Sequence, residues 1–408
     1  MHLISFIAAL LFATAAAAEP LTARHRAEDF DAAWNAIDRG YAYFDRNRPS
    51  WRRARATWRP RALAAKTRDD FVRALEGALE QLHDDHVTLS ERSPGSRRVP
   101  ADTDIWARWR DGAAVVEAVR TFGDADVAGL TPGARITRIG QVAVDKVVRD
   151  RWGVTRASSA DDRDWALRHA LAGPRTGALR LEVADKGGTH PVEIERTSGK
   201  ATNGPPLIGR RVGEQRDVGY IRIKQAWGEP RLFQLFDGAL NHLKDTRALI
   251  LDLRDLSGPG SRAATLAILG RFASGQAPWQ IRQAPGGPRV TDAVSSARGF
   301  SYRAPLVVLV DRWTAGEAEA LAAGLAAVAK ARIVGTPMAG LRGELRRTRL
   351  PHSGLVVSYP AERTFLVDGT PRELLRPHVA IDLAAPSGGP GDPILYQALK
   401  LLEEKVPG

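Results

Sequence analysis

Apolar residues recur every three or four positions in "FDAAWNAIDRGYAYF" (Phe30 to Phe44) and "DDFVRALEGALEQL" (Asp69 to Leu82), and this spacing predicts amphipathic helices within a helical unit over 27–89. Asp69 and Asp70 are acidic starts for the second of them. The polar stretch "SERSPGSRRVPADT" (Ser90 to Thr103) breaks the periodicity with Pro and Gly and reads as a linker. A second unit, 104–198, shows the strand-like "AAVVEAV", a turn-rich centre, a helical middle and the hairpin pattern "LRLEVADKGGTHPVEIER". From 206 to 385 continuous Val/Ile/Leu runs ("VGYIRIKQ", "ALILDLRD", "APLVVLV", "RIVGTP") alternate with amphipathic helical segments. Strands of that kind are buried on both faces, so the third unit is expected to be α/β, with βαβ crossovers. The Gly/Pro-rich "PSGGPGDP" then precedes a last short helix over 393–406. No internal repeat interrupts this order.

Composition narrows the setting. At 408 residues and 44% apolar content the chain can bury a large core divided among two or three domains. The opening "MHLISFIAALLFATAAAAEP" carries an apolar run too short to span a bilayer comfortably, followed by small residues. It predicts a signal peptide over 1–18, cleaved after about Ala18, and a protein exported across the inner membrane to the periplasm, with no integral membrane segment afterwards. Only His2 stands where a positive n-region is usual. The absence of cysteine removes disulfides, thiolate metal sites, cysteine nucleophiles and a lipid anchor together. The net charge of +12 is spread through interleaved Arg and Glu, and basic runs such as "WRRARATWRPR" (Trp51 to Arg61) read as solvated helix and turn surface. Nucleic acid is therefore not expected as a partner.

Motifs add chemistry. "AGLTPGARITRIGQ" (Ala128 to Gln141) resembles the carboxylate-binding corner of a PDZ domain, with Gly129, Leu130 and Gly133 in the loop, Ala134 in place of the usual acid and Gly140 in place of the usual Asn. "GYIRI", "ALILDLRD", "APLVVLVD", "TAGEAEALAAGL", "ARIVGTPMAGLRG" and "DGTPRE" follow the order and approximate spacing of the core blocks of the tail-specific, or C-terminal-processing, serine peptidases. The resemblance covers nearly all of the chain after the leader. It implies a ClpP/crotonase-like spiral of βαβ units behind a helical and a PDZ-like domain, cleavage of extended peptides or protein C-termini, and no cofactor.

In that family the nucleophilic serine sits in a strand-to-helix turn. Laid against "TAGEAE", the serine column falls on Gly316, which has no side chain to activate, and neither Thr314 nor Glu317 can occupy the same place without shifting the turn. The lysine base of one branch falls at Leu341 and Arg342, neither of which can accept a proton. The tricorn-like branch instead takes a histidine from the end of the helical domain, and "LHDDHVTL" supplies His86 there, with Glu373 of "DGTPRE" at the supporting acid. The oxyanion loop, usually Gly-Asn-x-Gly-Gly, reads "DLSGPGS". Gly258 and Gly260 keep it tight while Pro259 offers no N–H, and the helix starting near Ala315 can direct N–H groups of its own at an anion.

Other roles fit the same residues. His86 can pack or cap at a helix end, Glu373 can be a solvated turn acid, Glu319 a surface charge, and His352 and His378 turn and strand-end residues. His83 and His86, one turn apart, are a potential metal pair lacking an identifiable third ligand, and no metal is expected. Ser257 and Ser261, and more remotely Ser353, are candidate displaced nucleophiles, although serines beside Gly and Pro usually serve turns. The expectation is an exported peptidase homologue that binds peptides with lost or impaired proteolysis, the alternative being an active serine peptidase using Ser257 or Ser261 with His86. On either reading His86, Gly316 and Glu373 should line one cleft.

Overall fold

Threonine hydroxyls open two of the first three helices. In the computed structural model, which describes residues 21–196, 204–224, 231–258, 260–296, 300–385 and 391–404, α1 (Ala23–Gly40) is capped by Thr22, whose oxygen accepts from His25 N. Helix α3 (Arg68–Leu79) begins with a reciprocal capping box between Thr67 and Asp70. Between them α2 (Phe44–Ala64) takes in the basic run. It is not merely a solvated surface: Trp51, Ala54 and Ala62 are buried, while Arg55 and Arg59 turn outward to pair with Asp31. The apolar leader, Pro259 and the last residues expected for the C-terminal helix lie outside the described residues.

The helical unit does not close a core by itself. Phe30, Ile37, Phe71, Leu75 and Leu82 pack against Leu350, Leu355, Val357, Tyr359 and Ala361, which lie on and before a strand more than 250 residues further along the chain. That strand is β16 (Val356–Phe365), and the short β1 (Thr88–Leu89) pairs antiparallel with it, Thr88 opposite Ser358. Buried Asp29 completes the seam by accepting from His352 N and Ser353 N.

The expected linker is a packed strap, with Ser93, Val99 and Thr103 buried. It leads into a strand unit: β2 (Ile105–Arg110), β3 (Ala113–Val119), α4 (Asp124–Val127), β4 (Arg135–Ile139), β5 (Val142–Ala143), α5 (Val144–Trp152), α6 (Ala160–Ala172), β6 (Leu179–Asp185) and β7 (Gly188–Ile194). Its sheet runs β2-β3-β4-β6-β7 with β5 beside β4, all antiparallel.

The third unit contains β8 (Leu207–Val212), β9 (Val218–Ile223), α7 (Leu232–His242), β10 (Ala248–Asp252), α8 (Arg262–Gly270), β11 (Gln276–Gln283), β12 (Arg289–Ser295), β13 (Leu306–Val310), α9 (Glu317–Ala329), β14 (Arg332–Gly335), β15 (Glu344–Arg349) and, after β16, β17 (Val379–Ala380), with α10 (Pro393–Glu403) last. The sheet order is β17-β14-β13-β10-β9-β8, parallel except for β8. Alternation explains the unbroken apolar runs. Ile221, Leu249, Leu251 and Val308 face α7 to α9, while Tyr220, Ile250, Val307 and Leu309 face α10. A second, antiparallel sheet of β1, β16, β11 and β12, with β15 on β16, covers the helices and joins the helical unit to the core. Its strands are too polar and too interrupted to stand out in the sequence.

Gly335 ends β14 at φ 141°, and a Cβ there would lie 1.9 Å from the Val310 carbonyl oxygen. Gly335→Ala is therefore expected to destabilise the fold by about 3 kcal/mol. Chemical unfolding checks this, and a midpoint equal to the parent protein's would contradict it.

Candidate active centre

The turn between β13 and α9 is built on side chains that bond their own backbone. Asp311 accepts from Trp313 N at 2.9 Å and from Asp255 N at 3.1 Å, and burial pushes its carboxyl up to about 6. Thr314 Oγ1 accepts from Asp311 N and donates to the Leu253 carbonyl, while Ala315 N donates to the Leu256 carbonyl. These bonds fix the 253–258 loop, and with it Gly258, against the turn.

The chain then enters α9 through Gly316 at φ 62°, ψ −116°, a conformation that strains any L-residue by about 1–3 kcal/mol. A Cβ built on Gly316 would meet one non-neighbouring atom within 4 Å, His86 Nε2, at 3.8 Å. A hydroxyl one bond further out would reach hydrogen-bond distance of that nitrogen.

His86 arrives from the other end of the chain. After a 3₁₀ turn (Glu80–Leu82), His83 adopts the left-handed conformation and the segment is then pinned residue by residue. His83 Nδ1 meets Asp162 at 2.7 Å and its ring stacks on Trp165. Asp84 accepts from His86 N and from the Tyr41 hydroxyl, and Asp85 binds Arg168 and His169 of α6. Pairing of β1 with β16 fixes the far side. His83 and His86 thus serve different elements, which removes the geometric basis for a metal pair. Among the described residues no group of three His, Asp or Glu is arranged to hold a metal ion.

Within the centre, His86 Nδ1 lies 2.5 Å from the Arg342 carbonyl oxygen. A carbonyl only accepts, so the proton is on Nδ1 and Nε2 is left as the acceptor facing Gly316. Burial lowers the imidazole pKa below 6.5, opposed by the Arg342 carbonyl and Asp84. The ring is neutral at physiological pH.

Glu319 is not a surface charge. It is 1% exposed and accepts from Gly316 N (2.8 Å), Gly340 N (2.8 Å) and Leu341 N (3.1 Å). One carboxylate therefore ties the turn to the loop whose next carbonyl orients His86. Burial pushes it up to about 7, against Arg372 and the three N–H groups. Sequence reading overlooked this role, although an acid three residues after a helix N-cap is a recognisable capping spacing.

Glu373 sits in a 3₁₀ turn (Arg372–Leu374) and is not a solvated turn acid, since its Oε2 is buried without a hydrogen-bond partner among the described residues. Burial raises its pKa, with Arg372 and Arg342 opposing. It does not bond His86. The nitrogen a supporting acid would hold is already taken by the Arg342 carbonyl.

Of the remaining candidates, Glu317 accepts from Thr265 Oγ1 at 2.9 Å, with burial and then Glu344 raising its pKa. Gly258 and Gly260 are partly exposed on either side of Pro259. Ser261 Oγ caps α8 by accepting from Ala264 N, Ser353 Oγ accepts from Leu355 N, and no hydroxyl among the described residues hydrogen-bonds His86 Nε2. His352 and His378 hold a turn and a strand start. In the strand unit, Gly129 and Gly133 have positive φ, and Leu130 is buried in that unit's own core.

Residues 217–381 match the model of peptidase family S41, and residues 22–79 match that of the tricorn protease C1 domain. No curated protein sequence matches. Among solved structures the fold is similar to the photosystem II D1 C-terminal processing protease (19% identity, 88% of this chain and 94% of that one, TM-score 0.56). It is also similar to mature CPAF (14%, 94% and 96%, 0.60) and to a putative peptidase from Parabacteroides merdae (15%, 95% and 99%, 0.52). At these identities the likeness is one of fold.

Because folding raises the Glu319 pKa from 4.5 towards 7, the native state binds a proton the unfolded chain has released across that window. The stability owed to Glu319 is therefore fully present below about 4.5 and declines as pH rises to about 7. Glu319→Gln cannot titrate, so the stability difference between parent and variant should be widest below about pH 4.5 and narrowest above about pH 7. A difference independent of pH in urea titrations would show that burial does not shift this carboxyl.

Proposed function

We propose, for a chain whose residues 217–381 match the model of peptidase family S41, an exported homologue that binds extended peptides or protein C-termini and has lost serine-type proteolysis. The observation that carries this is the open Cα of Gly316 facing His86 Nε2, with the turn, the base and the helix terminus in place around it. Peptide hydrolysis through an acyl-enzyme requires an oxygen at that point. Without it, catalysis in serine hydrolases falls to the level supplied by binding and oxyanion stabilisation, about 10³-fold over water.

His86 is the residual base, held by the Arg342 carbonyl. Glu317 N at the start of α9 and the loop of Gly258 and Gly260 form the oxyanion and peptide-contacting side, and Glu373, whose carbonyl lies against Gly340, belongs to the same wall. Extended chains bind such edges through main-chain hydrogen bonds that need no nucleophile. The strand unit, with its PDZ-like Gly129–Leu130–Gly133 corner, is a second peptide-facing module. Leu130 there packs inward and the Gly129 and Gly133 N–H groups are bonded to the Asp126 and Val116 carbonyls, so a ligand would meet this corner through other groups. Export rests on the apolar leader; among the described residues no helix is long and apolar enough to cross a membrane.

The mature protein should not be labelled by a fluorophosphonate probe, and peptides that bind saturably should be recovered intact by mass spectrometry. Gly316→Ser should introduce labelling that His86→Gln removes, at about 1–3 kcal/mol of lost stability from the strained turn. Labelling of the unaltered protein at any serine would select the displaced-nucleophile alternative.

A further inference from the structure

The centre that lacks a hydroxyl keeps an imidazole acceptor beside an open position. His86 Nε2 has no hydrogen-bond partner among the described residues, and its acceptor state is fixed by the Nδ1–H bond to Arg342. The point where a Cβ would stand at Gly316 has no other non-neighbouring atom within 4 Å, so the space beside that nitrogen is open. Both residues keep partial exposure to solvent. At the start of α9, a 13-residue helix, Gly316 N is held by Glu319 and Ala318 N by the Ala315 carbonyl, which leaves Glu317 N as the donor at that end, with Glu317 and Glu319 in the same turn. The separation between Gly316 and His86 is maintained from both sides, by Glu319 on the turn and by the Arg342 carbonyl on the ring.

We propose that this centre hydrolyses activated acyl esters by direct attack of a water molecule held between His86 Nε2 and Gly316, with no acyl-enzyme. His86 Nε2 takes a proton from the water as its oxygen bonds to the acyl carbon, and the carbonyl electron pair moves onto oxygen beside the α9 N-terminus. The tetrahedral species then collapses. The ester C–O bond breaks, the leaving oxygen takes the proton back from His86, and the products are a carboxylic acid and an alcohol. Esters of good leaving groups suit this route because expulsion needs little assistance. A peptide amine is a far poorer leaving group, so peptides are bound and spared. Glycine is itself the determinant: a methyl at position 316 would stand where the water must sit.

This inference rests on the reading of Gly316 and His86 as an altered active centre, and the experiment separates the two. Hydrolysis of p-nitrophenyl butyrate by the full chain is followed through nitrophenolate release. The parent protein should exceed His86→Gln by about 10²-fold or more, the usual range for a general base. No burst stoichiometric with protein should appear, and pretreatment with fluorophosphonate should leave the rate unchanged. The rate should climb with pH and level off below 6.5, since protonating an imidazole whose pKa burial has lowered removes the base. Gly316→Ala should fall to the His86→Gln level, with circular dichroism confirming that each variant is folded. A parent rate no higher than that of His86→Gln overturns the water route, and so does a stoichiometric burst or loss of activity to fluorophosphonate, either of which indicates a side-chain nucleophile. If Gly316→Ser is labelled while the parent shows no esterase activity, the altered-centre reading stands and the water route falls. If neither is seen, both fall.

Discussion

Three backbone N–H groups converge on one buried carboxylate, and the geometry of the centre depends on that convergence. Glu319 holds Gly316 on one side and Gly340 and Leu341 on the other. The residue after Leu341 offers the carbonyl that takes the His86 proton. Removing the carboxylate would leave buried donors unpaired, each costing about 1–3 kcal/mol, and would leave the turn tied to that loop only through Ala339 N on the Thr314 carbonyl and Arg312 on the Met338 carbonyl. A carboxyl in this place, at the cost of a raised pKa, satisfies N–H groups of the turn and of the loop together.

The same framework explains how the turn accommodates a glycine at position 316. The turn is shaped by Asp311, Thr314 and Glu319, none of which needs a side chain at position 316. Its φ of 62° is strained for serine and relaxed for glycine. The turn therefore holds its form with a bare Cα at its apex. What persists is a neutral imidazole, a helix N-terminus and an open space between them.

Around this point the three units meet. Arg312, next in the turn, is buried and donates to Glu117 of the strand unit and to the Met338 carbonyl. Trp313 Nε1 bonds the Thr103 carbonyl, and its ring joins Val99, Trp106, Ala118 and Ala172. The His86 segment is likewise clasped by α6 through Asp162, Arg168 and His169. A displacement of the strand unit would thus be felt on both walls of the centre, the turn and the base, without any residue of that unit entering it.

Sequence determined the local parts. Unbroken runs such as "APLVVLV" specify strands covered on both faces, and the runs at 217–255 and 304–335 alternate as a parallel sheet requires. Periodic apolar spacing and Thr67 with Asp70 specify the start of α3, and the motif order carried the resemblance to C-terminal-processing peptidases. Tertiary structure decided the partnerships. Glu319 reads as surface until the 340–342 loop folds over it. Glu373 reads as the orienting acid until a backbone carbonyl, which no side-chain pattern encodes, occupies the imidazole nitrogen. Ser261 reads as a spare nucleophile until it caps α8. The antiparallel sheet that carries β16 to the helical unit is equally silent in the sequence, because its polar strands gain their burial only from segments hundreds of residues away. Periodicity records which face of an element is buried, but contact between His86 and Gly316 is a property of the packed layers, where 230 residues of intervening chain must fold before the two can meet.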